Sequence, residues 1–168
     1  MIKVLPRNIL RFGILLLLQV LVFNNIQLSG YINPYIYILF ILLLPFDTPG
    51  WLLLLLGFLM GLSIDIFSDT LGMHTIATTL IAFLRPYVLD IIAPRDGYEA
   101  GTNPRIAYYG FSWFFKYAAI LVLIHHFVLF YIEVFRFGSF FSTLFRVILS
   151  SAVTLLIIIL SQYFVFRR

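Results

Sequence analysis

Long apolar runs recur along this chain, and they constrain its fold more than any other feature. Residues 14–18 read Ile-Leu-Leu-Leu-Leu, and residues 155–160 read Leu-Leu-Ile-Ile-Ile-Leu. A helix needs about 20 mainly apolar residues to cross a ~30 Å hydrocarbon core. The strands of a membrane barrel instead alternate apolar and polar residues over about 10 positions. Because these runs do not alternate, they predict membrane-spanning helices and an all-α fold.

The charge content supports a surface that faces lipid. Of the 168 residues, 62% are hydrophobic and only 11% are charged, whereas a soluble domain carries about 25% charged residues. The length predicts one transmembrane domain over residues 1–168. The chain has no cysteine, which excludes disulfides and thiolate metal sites. Its basic residues lie mostly at segment ends, without the aromatic interleaving of a nucleic-acid surface, so no nucleic-acid partner is expected.

Six segments are candidates for membrane spans: 8–25, 32–46, 50–67, 72–92, 112–136 and 140–166. The second is short, starts beside the polar Asn33-Pro34 and ends at Pro45. By length alone it is either a short span or a re-entrant segment. The longest connection, 93–111, contains a polar stretch rich in turn-forming residues, which is either a flexible connector or a docking surface.

The distribution of basic residues decides between five and six spans. Nine of the eleven form three groups: Lys3, Arg7 and Arg11 near the N-terminus, Arg85, Arg95, Arg105 and Lys116 in or beside the long connection, and Arg167 and Arg168 at the C-terminus. Of the other two, Arg136 lies beside the connection near 137–140 and Arg146 lies in the sixth segment. Lysine and arginine are enriched in cytoplasmic loops. Six spans place all three groups on one side, whereas five would separate them. The sequence therefore predicts a six-helix bundle with a short second helix and both termini in the cytoplasm.

The third segment carries four small or polar residues on one helical face. At about 100° per residue, Gly57, Gly61, Asp65 and Ser68 fall within an arc of about 80°. A G-x-x-x-G pair lets another helix approach closely in lipid. Two interpretations remain open, packing against a helix of this same chain and binding of a partner protein's helix.

Asp65 lies near the outer end of the same segment. A carboxylate at the centre of a membrane costs at least ~2.5–3.5 kcal/mol, so it seldom faces lipid. One interpretation is structural, with Asp65 accepting hydrogen bonds from the turn that Asp69, Thr70 and Gly72 form. The other is that Asp65 binds a ligand or partner.

Other polar residues suggest a cluster toward the outer leaflet. We hypothesise that it comprises Asp65, Asp69, His74, Glu133 and Arg146, with Arg146 paired to either Glu133 or Asp65. His125 and His126 are adjacent, so their side chains point about 100° apart and do not form a chelating pair. No metal or other cofactor is predicted.

Catalytic motifs are missing from the sequence. It has no glycine-rich phosphate loop, no G-x-S-x-G elbow and no His-Glu-x-x-His motif. Asp65 and Asp90 are predicted at opposite ends of neighbouring spans, too far apart to act as an aspartate pair. The chain is therefore not expected to be an enzyme.

A family resemblance rests on three stretches: Gly61-Leu62-Ser63-Ile64-Asp65, Leu71-Gly72-Met73-His74 and Ala82-Phe83-Leu84-Arg85-Pro86. Together with the length, the basic N-terminus and the short second segment, they resemble the bacterial rod shape-determining protein MreD family. Some members carry proline before the Leu-Gly pair, where this chain has Thr70.

The resemblance implies a non-catalytic scaffold of the cell-elongation machinery in the bacterial inner membrane, supporting peptidoglycan synthesis. Its expected partners are the transmembrane helix of an MreC-like protein and, indirectly, the RodA glycosyltransferase, a penicillin-binding transpeptidase and MreB. The family is also similar in fold to the substrate-binding subunits of energy-coupling-factor vitamin transporters, whose pocket faces outward. The alternatives are therefore a vitamin-type substrate-binding subunit, although their Ala-x-x-x-Ala coupling motif is absent here, and a membrane protein that binds a lipid precursor.

Overall fold

The computed structural model describes residues 4–26, 31–99, 102–135 and 140–164. All of the longer regular elements in these ranges are helices, which confirms the all-α fold class. They are α1 (Val4–Leu21), α2 (Ile38–Leu42), α3 (Gly50–Ser68), α4 (Met73–Ile91), α5 (Ile106–Val134) and α6 (Phe140–Phe164), with a 3-10 turn at Phe23–Asn25.

Within the described residues, four segments are long and apolar enough to cross a membrane: Pro6–Asn25, Gly50–Ser68, Ile106–Val134 and Phe140–Phe164. Helix α4 has the same length as α3 but is less apolar, because it carries His74, Arg85 and Asp90. The protein is thus a membrane protein by its helices, and α4 buries His74 and Arg85 in the bundle, whereas Asp90 is exposed.

Neighbouring helices run in alternating directions. Three contacts join the end of α1 to the end of α3, the end of α3 to the start of α4, and the end of α5 to the start of α6. They are Asn24 Nδ2 to Ser68 Oγ (2.9 Å), Asp65 to His74 (3.0 Å) and Glu133 to Arg146 (3.0 Å). We call this the cavity end of the bundle. The other end, which we call the basic end, holds Arg7 and Arg105, and burial and the nearby charge of Arg7 lower the pKa of Arg105.

Residues 33–45, here called the central segment, pass through the interior of the bundle. Every residue from Tyr35 to Leu44 is at most 8% exposed. Only Ile38–Leu42 are helical, so the predicted span 32–46 is mostly not a helix. Non-helical backbone is tolerated at membrane depth only where protein or water satisfies its polar groups. The surrounding helices provide hydrogen-bond partners for the backbone at both ends of the segment.

Polar side chains of α1 and α6 satisfy the extended start of the central segment. The bonds from its backbone are Asn33 N–H to Ser150 Oγ (3.2 Å), Tyr35 N–H to Thr154 Oγ1 (3.1 Å) and Ile36 N–H to Gln19 Oε1 (2.8 Å). Gln19 also donates to the carbonyl of Pro34 at 3.1 Å. Gln19 thus bonds on both sides of its amide to the backbone of the central segment.

Two arginines and a tyrosine satisfy the end of the central segment. The carbonyls of Leu42, Leu43 and Leu44 accept hydrogen bonds from Tyr117, Arg11 and Arg85, respectively. The last carbonyls of a helix have no partner inside the helix and carry its negative dipole charge, so cations stabilise them. Arg85 is only 1% exposed. It is therefore a buried capping residue and not, as its position beside the long connection suggested, a charge flanking the membrane.

Some helix boundaries differ from the predicted spans. Helix α1 begins at Val4 and ends at Leu21, and α5 begins at Ile106, which shortens the predicted 93–111 connection. Gly110 interrupts α5 with φ +79° and ψ +167°, a conformation that glycine adopts without steric cost. The predicted ends of the last two spans, with Arg136, Arg167 and Arg168, lie outside the described residues.

The described part of the long connection packs on the basic end. The Tyr98 ring stacks on Phe46 with 4.3 Å between centroids, and its hydroxyl donates to the carbonyl of Leu89 at 2.7 Å. Burial raises the pKa of Tyr98 to about 12. Trp113 donates to the carbonyl of Ile92 at 3.1 Å. These contacts attach the connection to the bundle through aromatic side chains.

Candidate functional site

Asp65 fastens the turn between α3 and α4. Its Oδ1 accepts from the Thr70 hydroxyl (2.5 Å), the His74 backbone N–H (3.1 Å) and lies 3.0 Å from His74 Nδ1. Its Oδ2 accepts from the backbone N–H and hydroxyl of Thr75 at 2.8 and 2.5 Å. The first N–H groups of a helix need such an acceptor, and the residue before α4, Gly72, has no side chain to provide it. Asp65 therefore has the structural role considered for it.

Helix α4 fills the small-residue face of α3. A Cβ placed on Gly61 would lie 2.5 Å from Thr75 Cα, and one on Gly57 would lie 2.7 Å from Ala82 Cβ. Gly57, Gly61 and Asp65 are buried, and Ser68 accepts a hydrogen bond from Asn24. The face of Gly57, Gly61, Asp65 and Ser68 thus packs within the chain. We do not propose it as the surface for a partner helix, because α4 leaves no space there.

A cavity of about 410 Å³ opens at the cavity end. The ends of α1, α3 and α5, the starts of α4 and α6 and the first residues of the central segment all contribute to its wall. Its charged and histidine side chains are Asp69, His74, Glu133 and Arg146, and its other polar side chains include Asn24, Asn33, Tyr35 and Ser68. This volume lies within the ~300–1,000 Å³ of small-molecule sites.

Arg146 forms one charged wall of the cavity. Its Nη1 donates to Glu133 Oε2 at 3.0 Å, and its guanidinium lies 4.2 Å from the centre of the Phe130 ring. The hydrogen-bond pattern places the Asn33 amide oxygen 2.7 Å from Arg146 Nη2. Three neighbours therefore hold the guanidinium in one place while 17% of the side chain stays exposed. Of the two partners considered for Arg146, the structure places Glu133 beside it.

Asp69 and Asn24 belong to the part of the wall formed by the end of α3 and the turn after α1. Asp69 ends α3 in a left-handed conformation with φ +52°, which aspartate tolerates better than most residues. Its side chain is exposed, and within the described residues its carboxylate makes no hydrogen bond. Asn24 bridges Gln19 and Ser68 at 2.9 Å each, so this wall is anchored to α1 and α3.

Aromatic and histidine rings form the floor. The Tyr35 ring lies 5.4 Å from those of His74 and His126. Deeper in the bundle, the Tyr37 hydroxyl and His125 Nε2 are 2.7 Å apart, and His126 Nε2 lies 3.1 Å from the Thr154 hydroxyl. His125 and His126 are fully buried, so they pack below the cavity without lining it.

Four of the five residues of the hypothesised outer cluster line this cavity, namely Asp69, His74, Glu133 and Arg146. Asp65 lies behind His74 and does not line it. Sequence reasoning missed Asn24, Asn33 and Tyr35 as lining residues. They come from the end of α1 and from the central segment, whose interior path has no local sequence signal.

Comparison of the chain with models of protein families, with curated proteins and with solved structures finds no significant match. Within the described ranges, no group of three or more His, Cys, Asp or Glu residues is arranged to hold a metal ion. The cavity offers both signs of charge, amides and hydroxyls beside an apolar edge. This combination is suited to binding a polar group.

Proposed function

We propose that this protein is a non-catalytic scaffold of the bacterial cell-elongation machinery in the cytoplasmic membrane. The supporting observation is the structural use of the residues that carry the MreD resemblance. Gly61 permits the close approach of α3 and α4, Asp65 fastens the turn between them, and Arg85 caps the central segment. The residues that carry the resemblance thus stabilise the fold, which supports a structural role for the protein.

The path of the central segment supports six crossings with both termini in the cytoplasm. Its start bonds to Gln19 and its end bonds to Arg11. These two residues are eight positions apart on α1, a rise of about 12 Å along a helix. The segment therefore runs antiparallel to α1, which lets α3 begin at the basic end. Basic residues at that end favour its placement in the cytoplasm.

The surface proposed for an MreC-like helix is the exposed stripe of α1. In the most apolar part of the α1 span, only 17% of the residues are buried inside the protein. The corresponding share in the other three candidate spans is 33–44%. The stripe follows helical spacing and comprises Leu10, Gly13, Ile14, Leu17 and Leu21. A Cβ on Gly13 would meet no atom within 4 Å. This glycine therefore leaves a shallow notch into which a partner helix can pack.

Site-specific crosslinking tests this assignment. A photoreactive residue replaces Leu17 in the full chain, which is expressed in membranes together with an MreC-like single-span protein. The matched control carries the same residue at Ile148 on α6, where 52% exposure is close to the 57% of Leu17. We expect the partner to be captured from position 17 and not from position 148. Equal capture from both positions, or none from either, would contradict the assignment.

The cavity favours a second candidate function, a binding subunit for a vitamin-type substrate or a lipid precursor. Its volume and polar walls are the observation behind this alternative. A soluble vitamin retained by the purified chain at one equivalent would support the transporter subunit. The scaffold role instead predicts loss of rod shape, with normal vitamin uptake, when the gene is depleted.

A further inference from the structure

The cavity lies at the depth of lipid head groups. Helix α3 has 19 residues, which span about 28 Å and match the ~30 Å hydrocarbon core. Ser68 and Asp69 stand at the end of this helix and line the cavity. A group bound between them and Arg146 would therefore occupy the interfacial layer and not the hydrocarbon.

An apolar edge joins the cavity to the surface that faces lipid. Phe67 lines the cavity and is 61% exposed, and Val20 of α1 and Phe23 of the 3-10 turn after it also line the cavity. Beside this edge, Ile66 and Leu71 are 65% and 98% exposed. A molecule with its polar group in the cavity can keep an apolar chain in contact with lipid along this edge. The shape thus fits an amphiphile better than a fully water-soluble molecule.

The charges on the cavity walls favour a ligand that carries both a negative and a positive charge. The guanidinium of Arg146 has five N–H donors, of which Glu133 and Asn33 each take one. At the end of α3, the Asp69 carboxylate is available to a cation. A purely anionic ligand would meet repulsion from Asp69 and Glu133, and a purely cationic one would leave Arg146 unused and be repelled by it.

We propose that the cavity binds an amphiphile with a zwitterionic head group, in which Arg146 receives a phosphate and Asp69 receives a primary ammonium. The apolar chains lie along Phe67 and Phe23. The amides of Asn24 and Asn33 provide further polar contacts. This site is independent of the proposed scaffold surface on α1, and it narrows the class of ligand that the cavity takes.

Lipid competition tests the head-group chemistry. The purified full chain is reconstituted in nanodiscs, and bound lipid is counted by native mass spectrometry after release into detergent. We expect one phosphatidylethanolamine to be retained in preference to phosphatidylglycerol, which lacks the ammonium. It should also be preferred to phosphatidylcholine, whose quaternary nitrogen has no N–H to donate to Asp69. Equal retention of the three lipids would overturn the proposal.

Substitution locates the binding. Asp69→Asn should weaken phosphatidylethanolamine binding about tenfold, since it removes one charge-assisted hydrogen bond, and should reduce the preference over phosphatidylglycerol. The matched control is Asp96→Asn, an exposed carboxylate in the connection after α4, which should change nothing. Circular dichroism establishes that both variants fold. An Asp69→Asn variant with unchanged affinity and preference would overturn the assignment.

A water-soluble head group tests whether the ligand is a lipid or a free zwitterionic molecule. Glycerophosphoethanolamine carries the same charges without acyl chains, and we expect it to compete at least a hundredfold more weakly than the lipid. Equal affinity would overturn the lipid assignment. None of these outcomes changes the crosslinking expected from Leu17. A failure of the lipid proposal is therefore distinguishable from a failure of the scaffold proposal.

Discussion

The guanidinium of Arg85 and the hydroxyl of Tyr117 form one buried unit, with Nε donating to the hydroxyl oxygen at 2.8 Å. Tyr117 donates in turn to the carbonyl of Leu42 at 3.1 Å, and Arg85 Nη2 reaches the carbonyl of Leu44. Both side chains are buried. Helices α4 and α5 thus jointly fix the position of the end of the central segment.

Removal of Arg85 should be the most damaging of the polar substitutions. Arg85→Met leaves buried carbonyls without a donor, and hydrogen bonds to charged groups contribute about 1.5–3 kcal/mol each, so we expect a loss of about 3 kcal/mol. Tyr117→Phe should cost about 1 kcal/mol. Unfolding in mixed micelles measures both, with the exposed Lys116→Met as the control. Additive losses in the double variant would show that the two residues do not act as a unit.

Asp65→Ala should destabilise the start of α4. The N–H groups of His74 and Thr75 lose their acceptor, and loss of such a cap costs about 0.5–2 kcal/mol. Asp65→Asn keeps an oxygen and should lose less than the alanine variant. The same unfolding assay applies, with Asp69→Asn on the same turn as the control. The structural role fails if alanine at position 65 leaves stability unchanged.

The two glycines Gly61 and Gly13 should respond in opposite ways to alanine. A Cβ at Gly61 would meet the α4 backbone at 2.5 Å, and overpacking of this kind costs about 1–3 kcal/mol. Gly13→Ala adds a Cβ in open space, and the higher helix propensity of alanine should raise stability by up to about 1 kcal/mol. Thermal unfolding of the two variants compares them directly. Similar effects at both positions would contradict the packing described for α3 and α4.

Gln19→Leu should loosen the start of the central segment. The variant removes an acceptor from Ile36 N–H and a donor from the Pro34 carbonyl. A buried backbone group left without a partner costs about 1–3 kcal/mol. Hydrogen exchange at Ile36 should therefore speed up, whereas the exposed Asn25→Ala should leave it unchanged. Unaltered protection at Ile36 would mean that Gln19 does not hold this backbone.

Local features of the sequence could predict a part of the candidate site. Asp65 and the turn residues after it lie within ten positions of one another, so helical geometry alone suggested an anchoring role. Glu133 could be considered as a partner for Arg146 because both fall at the same depth of adjacent spans. Asn33 and Tyr35 could not be assigned to the cavity, since their place depends on bonds to Ser150 and Thr154 on α6.

The sequence by itself determined that this protein is helical and lies in a membrane, because apolar runs and a shortage of charge are local properties. It also limited the face of Gly57 and Gly61 to close helix packing. Only the tertiary structure decided that α4 fills this face and that the central segment runs through the interior. Its backbone groups need partners wherever helical bonds are missing, and helices 15 to 119 residues away supply them.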